Sequence, residues 1–384
     1  MIAPRAIFLL WVIGHVAGFA VGQQQPQNDP NEALRQAVQM AREHRYLEAD
    51  AALKNVVPPA NPTQRIAFYR LKAAIASGMG HFAGAAEYMD DAAKLAPENQ
   101  ELRIAAGMVR LQERIANHAS PAITLRRLRG ETLPPQQAID VRLHIAEILS
   151  GANLFSEAAT DFAVASDLAP DRADLLFDLA LANFRSGDLA AASRNADRSK
   201  NLQDSASLEN LLGDIQEKQG NALAAVHSYQ AAVNLEPAEE RYRVALALEL
   251  VRHQTFEAAL VVLDQASSLF PKSVHIKILL GLTYYFVDRS ADAIQTLLES
   301  TQLDPQDETA AYYLGDITLQ DTSTPDRTAT AQICKFADQH PQDQLADTFC
   351  GGILLRVASD TGDPSERGEI LRRLTHAARI APKE

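Results

Sequence analysis

Apolar and polar residues follow one another along this chain at helical spacing, broken at short intervals by polar turns. The stretch Leu280 to Pro305 shows the pattern most plainly. Leu280-Gly281 lies on one helix, and the polar turn Asp288-Arg289-Ser290 ends it. Ala293 and Leu297 mark a second helix, which Leu303 and Pro305 close. Residues three or four apart share a helix face, so the spacing predicts two antiparallel helices packed through small side chains.

The outline recurs in register. Five units close at Pro97, Pro170, Pro237, Pro271 and Pro305. Two residues before each stands Leu95, Leu168, Leu235, Leu269 or Leu303. Twelve before stands Ala85, Ala158, Ala225, Ala259 or Ala293. Eight before comes a bulkier side chain, Met89, Phe162, Tyr229, Leu263 or Leu297, and twenty-four before a small one, Ala73, Ala146, Gly213, Ala247 or Gly281. The last two spacings are 34 residues each, and a further unit closes at Asp204 with Leu202 and Ala192 in place. Small residues let the two helices of a unit approach, the bulky one is expected to fill the gap toward the next unit, and proline stops the second helix.

This arrangement resembles the tetratricopeptide repeat, a helix-turn-helix unit of about 34 residues. The resemblance implies an all-α protein, a right-handed superhelical solenoid of such units, with the first helices lining a concave groove. Length then grows in one dimension rather than dividing into ordinary domains.

Residues 32–384 hold about ten units, regular over 64–97 and 137–305 and degenerate elsewhere. Residues 32–62 make a first unit, and 98–135 a looser one whose second helix is expected from Pro121 to Arg129, capped by Ser120. Beyond 305 the loops lengthen. A helix ending at Gln339 follows DTSTPDR, and a last pair, Leu345–Ala358 and Glu369–Ile380, flanks the loop SDTGDPSERG. Such a terminus suits a cap.

Residues 1–22 read as a secretory signal, with Arg5, an apolar stretch from Ala6 to Val21, and small residues at Ala20-Val21-Gly22. Cleavage would leave Gln23 first; an uncleaved anchor is the alternative. Residues 23–31, QQQPQNDPN, are a polar, disordered lead-in. The expected location is periplasmic or secreted, in a bacterium.

Composition adds little to this picture: 384 residues, 47% hydrophobic, an ordinary globular balance. The net charge of −13 and the lack of any Lys/Arg run argue against nucleic-acid binding. The sequence holds no HExxH, CxxC, GxSxG or Gly-Lys phosphate-loop pattern, so no metal, cofactor or catalytic residue is expected. Gly78-Met79-Gly80-His81-Phe82-Ala83 imitates a dinucleotide fingerprint, but a helix precedes it and it falls in a repeat turn. Asp360, Asp363 and Glu366 do not form an EF-hand loop.

Cys334 and Cys350 are the only cysteines. Cys334 takes the bulky slot of a second helix, and Cys350, before Gly351, the leucine slot of the next first helix. An exported chain would favour a disulfide; two small core residues are the alternative.

The candidate binding face lies twenty-seven, twenty-three and twenty positions before each closing residue. These are Phe177, Leu181 and Phe184; Val244, Leu248 and Val251; and Ile278, Leu282 and Tyr285. Asn210, Asp214 and Glu217 interrupt this apolar stripe, and Arg185, Arg241 and Arg252 flank it. Each helix also has a second apolar face, so the surplus stripe either receives a peptide or partner protein, or is covered by neighbouring units. The expected function is a non-catalytic interaction scaffold; the alternative is an accessory subunit of an envelope polysaccharide or cell-wall system.

Overall fold

The computed structural model describes residues 30–321, 326–361 and 364–380, with side chains over 32–321, 326–358 and 367–380. The expected signal, most of the expected lead-in, the middle of DTSTPDR and the side chains of Asp360, Asp363 and Glu366 lie outside these residues. The described residues form twenty helices and no strand. They divide into two compact units, the first ending at Gln203 and the second beginning at Asp204.

In the first unit the helices are α1 (Pro30–Arg42), α2 (Tyr46–Leu53), α3 (Pro62–Gly78), α4 (Phe82–Leu95), α5 (Gln100–Ala116), α6 (Ala122–Arg129), α7 (Pro135–Gly151), α8 (Phe155–Leu168), α9 (Ala173–Ser186) and α10 (Leu189–Leu202). In the second they are α11 (Ala206–Lys218), α12 (Ala222–Leu235), α13 (Glu240–Arg252), α14 (Phe256–Leu269), α15 (Val274–Phe286), α16 (Ser290–Leu303), α17 (Glu308–Gln320), α18 (Arg327–Gln339), α19 (Gln344–Thr361) and α20 (Pro364–Ile380).

Local chemistry sets the helix ends. Asn61 accepts from the backbone N–H groups of Thr63 and Gln64, with Pro62 opening α3 where no donor is needed. Asn99, Asp188, Ser205, Ser273, Asp307 and Asp326 cap their helices in the same way. The turn inside each repeat depends on one left-handed residue, seventeen positions before the closing residue: Gly80, Asn153, Gly187, Gly220, Gln254 and Asp288. From the next residue an N–H reaches back over the turn, as from Leu154 to Leu149 O and from Thr255 to Leu250 O, both at 2.9 Å. The Gly78-Met79-Gly80 string is such a turn.

Small and bulky positions pair within a repeat, not toward the next one as the sequence suggested. A Cβ on Gly213 would stand 2.5 Å from the Tyr229 ring, and one on Gly281 2.7 Å from Leu297. The bulky side chain of the second helix therefore lies directly on the bare backbone of its own first helix. Two other expectations shift. Helix α6 starts at Ala122 with Pro121 as its cap residue, and Ser120 Oγ accepts from Ala122 N at 3.4 Å. The expected final loop is mostly helix, because α19 continues to Thr361 and α20 opens at Pro364, a residue suited to a first turn.

The core of the first unit runs through Leu71, Ile75, Met89, Met108, Leu111, Ile145 and Leu149. Asp161 (0% exposed) is bonded there by Arg129 at 2.5 Å and Arg142 at 2.7 Å. Removing both arginines would leave its carboxylate buried and unpaired. The second unit has two apolar clusters, one around Tyr242, Leu246 and Leu263, the other around Leu297, Leu314 and Ile353.

Candidate functional site

Alanine or glycine at the packing positions draws the two helices of each repeat together, and this fixes which way the rest of each first helix faces. On α9, Leu175, Leu176, Leu179 and Ala180 are buried, while Phe177, Leu181 and Phe184 remain half-buried and Arg185 is exposed. On α13, Leu248 is 41% exposed; Val244 and Val251 are half-buried against the cluster beneath. On α15 the outcome differs. Ile278 is only 8% exposed and packs with Ala293, Leu297 and Leu314, so its side chain is taken up by the core. Leu282 and Tyr285 lie partly buried on the same cluster, and the Tyr285 hydroxyl donates to Gln320 Oε1 at 3.0 Å.

Two of the three flanking cations are engaged. Arg252 meets both Glu217 and Glu249 at 2.7 Å. Arg241 stacks on Tyr242, 4.6 Å from the ring centroid, and donates to its hydroxyl at 2.7 Å. In the polar interruption, Asp214 accepts from the Tyr229 hydroxyl at 2.8 Å, and burial followed by this bond pushes the phenol well above its ordinary range.

A pocket of about 370 Å³ opens in the first unit between α5 and α7. Ile104, Met108, Leu133 and Val141 supply apolar walls; Glu101, Gln137, Asp140 and His144 bring polar groups to it. Along α7, Asp140, His144 and Glu147 share a face by their spacing. On α9, Asp174 and Asp178 stand one turn apart. Arg172 bonds Asp174. Asp178 is half-buried and its carboxyl is pushed up to about 7, first by burial, then by the charges of Asp174 and Glu147; Arg172 opposes this weakly. Glu147 is likewise raised by burial, against His144. Among the described residues, no Lys or Arg forms an ion pair with Glu147 or Asp178.

The repeat register marks these carboxylates beside the apolar stripe. Counting twenty-three back from Pro170 gives Glu147, and counting thirty back from Pro170 and Asp204 gives Asp140 and Asp174. The Cys334 and Cys350 sulfurs are joined in a disulfide between α18 and α19, with Cα atoms 4.9 Å apart. Among the described residues, no cluster of His, Cys, Asp or Glu could hold a metal ion, and no helix is long and apolar enough to cross a membrane.

The tetratricopeptide repeat family matches at residues 144–193 and again at 210–239. No curated protein matches the sequence. Among solved structures, the C-terminal part of a TPR repeat-containing protein from Cytophaga hutchinsonii aligns over 63% of this chain and 100% of its own, at 13% identity and a TM-score of 0.52. YrrB, described as a TPR protein with an unusual peptide-binding site, aligns over 46% of this chain and 96% of its own, at 17% identity and a TM-score of 0.40. MamA from Desulfovibrio magneticus RS-1 aligns over 44% and 97%, at 20% identity and a TM-score of 0.39. The matched repeats, the helix-turn-helix geometry and the likeness to the Cytophaga protein agree: this chain carries tetratricopeptide repeats, folded as a helical solenoid.

Proposed function

We propose that this protein is a non-catalytic scaffold that binds an extended peptide, or an extended segment of a partner protein, on the open faces of the first helices within a compact unit. One observation carries the reading. The same two register positions stay apolar and incompletely covered on three first helices, as Leu181 and Phe184, Leu248 and Val251, and Leu282 and Tyr285. A helix needs only one apolar stripe to fold into its unit, and these helices carry a second. Tetratricopeptide-repeat proteins generally act as interaction scaffolds rather than catalysts, which agrees with this face.

Export belongs to the same proposal. The apolar stretch from Ala6 to Val21 has the composition of a secretory signal, and a Cys334–Cys350 disulfide suits an oxidising compartment. Protein recovered from its host should then begin near Gln23; soluble protein still carrying Met1 would contradict export.

The binding reading is tested by Phe184→Asp beside Ile278→Asp. Phe184→Asp should abolish retention of peptides from a library while lowering stability by less than about 1 kcal/mol. Ile278→Asp, which buries a charge, should lower stability by several-fold more. Equal and large destabilisation by both, or undiminished binding by the Phe184 variant, refutes the assignment of this face. Turnover of any substrate by the purified chain would refute the non-catalytic role.

A further inference from the structure

The first unit supplies cations to its acids with some consistency. Asp161 has Arg129 and Arg142, Glu131 has Arg103 at 3.4 Å, and Glu101 has Arg70 at 3.3 Å. Glu147 and Asp178 depart from this. A comparison of repeats shows how. Glu147 stands twenty-three positions before its closing residue, where the second unit has Asp214. Asp214 is satisfied by the hydroxyl of Tyr229, eight before the same closing residue. The equivalent of Tyr229 beside Glu147 is Phe162, which has no hydroxyl to give. The fold thus leaves Glu147 without the partner that the same register supplies to Asp214, and sets near it Asp178, with which no Lys or Arg among the described residues forms an ion pair.

Glu147 adjoins the α5–α7 pocket, because His144 lines it and Glu147 lies on the same face of α7, and Asp178 is near enough to feel the charge of Glu147. Three residues of helix separate His144 from Glu147 by roughly 4.5 Å, and seven separate Asp140 from Glu147 by roughly 10 Å. An extended peptide advances about 3.3 Å per residue. Side chains two or three residues apart therefore span from the pocket to Glu147.

Resting on the peptide-binding reading above, we propose that the face of α5, α7 and α9 selects a cationic peptide. A lysine or arginine side chain enters between Glu147 and Asp178, and an apolar side chain two or three residues away fills the pocket walled by Ile104, Met108 and Val141. Charge complementarity names the occupant: an incoming ammonium or guanidinium supplies Glu147 and Asp178 with the ion-pair partner they do not have among the described residues. Burial first, then the charges of Asp174 and Glu147, opposed by the engaged Arg172 and with His144 and Asp140 on α7 beyond, make Asp178 hold a proton below pH of about 7. Binding a cation displaces that proton, so affinity rises with pH through this range.

The test uses the full chain and a positional-scanning peptide library, with bound peptides resynthesised and measured by fluorescence anisotropy. Wild type should enrich Lys or Arg at one position and an apolar residue two or three away. Replacing that cation by Gln should weaken binding by about tenfold or more. Lowering the pH from about 8 to about 6 should weaken wild type by about tenfold and leave Asp178→Asn, itself weaker at pH 8, nearly unaffected. Glu257→Gln, at an exposed acid of the second unit, controls for the −13 net charge and should change nothing. Thermal melts establish that both variants are folded. Peptides retained without cation preference, or equal losses from Glu257→Gln and Asp178→Asn, overturn the proposal and leave peptide binding standing. Retention of no peptide by wild type overturns both.

Discussion

Asp178→Asn should stabilise this protein at alkaline pH, and the size of the gain follows from its surroundings. The ordinary pKa of such a carboxyl is 3.8, and in the folded chain it is pushed up to about 7. At pH values above both, each pH unit between them costs about 1.36 kcal/mol of folding free energy. The wild-type penalty therefore has a ceiling of about 4 kcal/mol, reduced by solvent on the open side of α9. The sign is fixed by proton counting. Between 3.8 and 7 the folded state holds a proton that the unfolded state has lost, so stability falls as pH rises through this window. Asparagine removes the charge in both states and so removes the penalty. At about pH 8 the variant should gain close to the full amount; at about pH 5 only about 1.6 kcal/mol remains. Repeat arrays can open locally, so hydrogen exchange of amides in α7–α9, measured beside global denaturation, reads the effect where it arises. A gain independent of pH would mean that the charge of Asp178 is not its cause. A loss at pH 8 would show that the carboxylate already has a partner that the geometry does not give it, and the argument for an unmet cation would fall with it.

Other substitutions probe the repeat itself. Gly213→Ala should cost about 1–3 kcal/mol in a urea titration, because the new methyl meets a Tyr229 ring held in place by its bond to Asp214. Gln254→Gly should raise stability by about 0.5–1 kcal/mol, since Gln254 sits at φ 57° where a side chain is strained and glycine is not; no change would mean the turn relaxes that strain elsewhere. Reducing the Cys334–Cys350 bond, which closes a segment with a sequence separation of 16, should lower the stability of the α18–α19 region by about 3 kcal/mol, read from denaturation with and without reductant. An unchanged midpoint would show that the bond adds nothing beyond the packing around it.

The sequence by itself determined the repeat. The small, bulky and proline positions are local and periodic, and each has one physical job: to let helices approach, to fill the gap between them, or to stop a helix. Their recurrence was therefore enough to mark the helices and most of their ends. Elements with a single local signal were less legible. Pro364 opens a helix inside a stretch whose Gly and Asp content reads as loop, and Ser120-Pro121 is one residue out of step with the true helix start. Tertiary structure alone decided what each outward position meets. Phe177, Val244 and Ile278 share one register position, yet only Ile278 is enclosed, because the α16 and α17 side chains close over it. Glu147 and Asp214 occupy one register position as well, and one phenolic hydroxyl separates them. The difference between a satisfied acid and an unsatisfied one is set by contacts across helices, and no periodicity along one chain records those contacts.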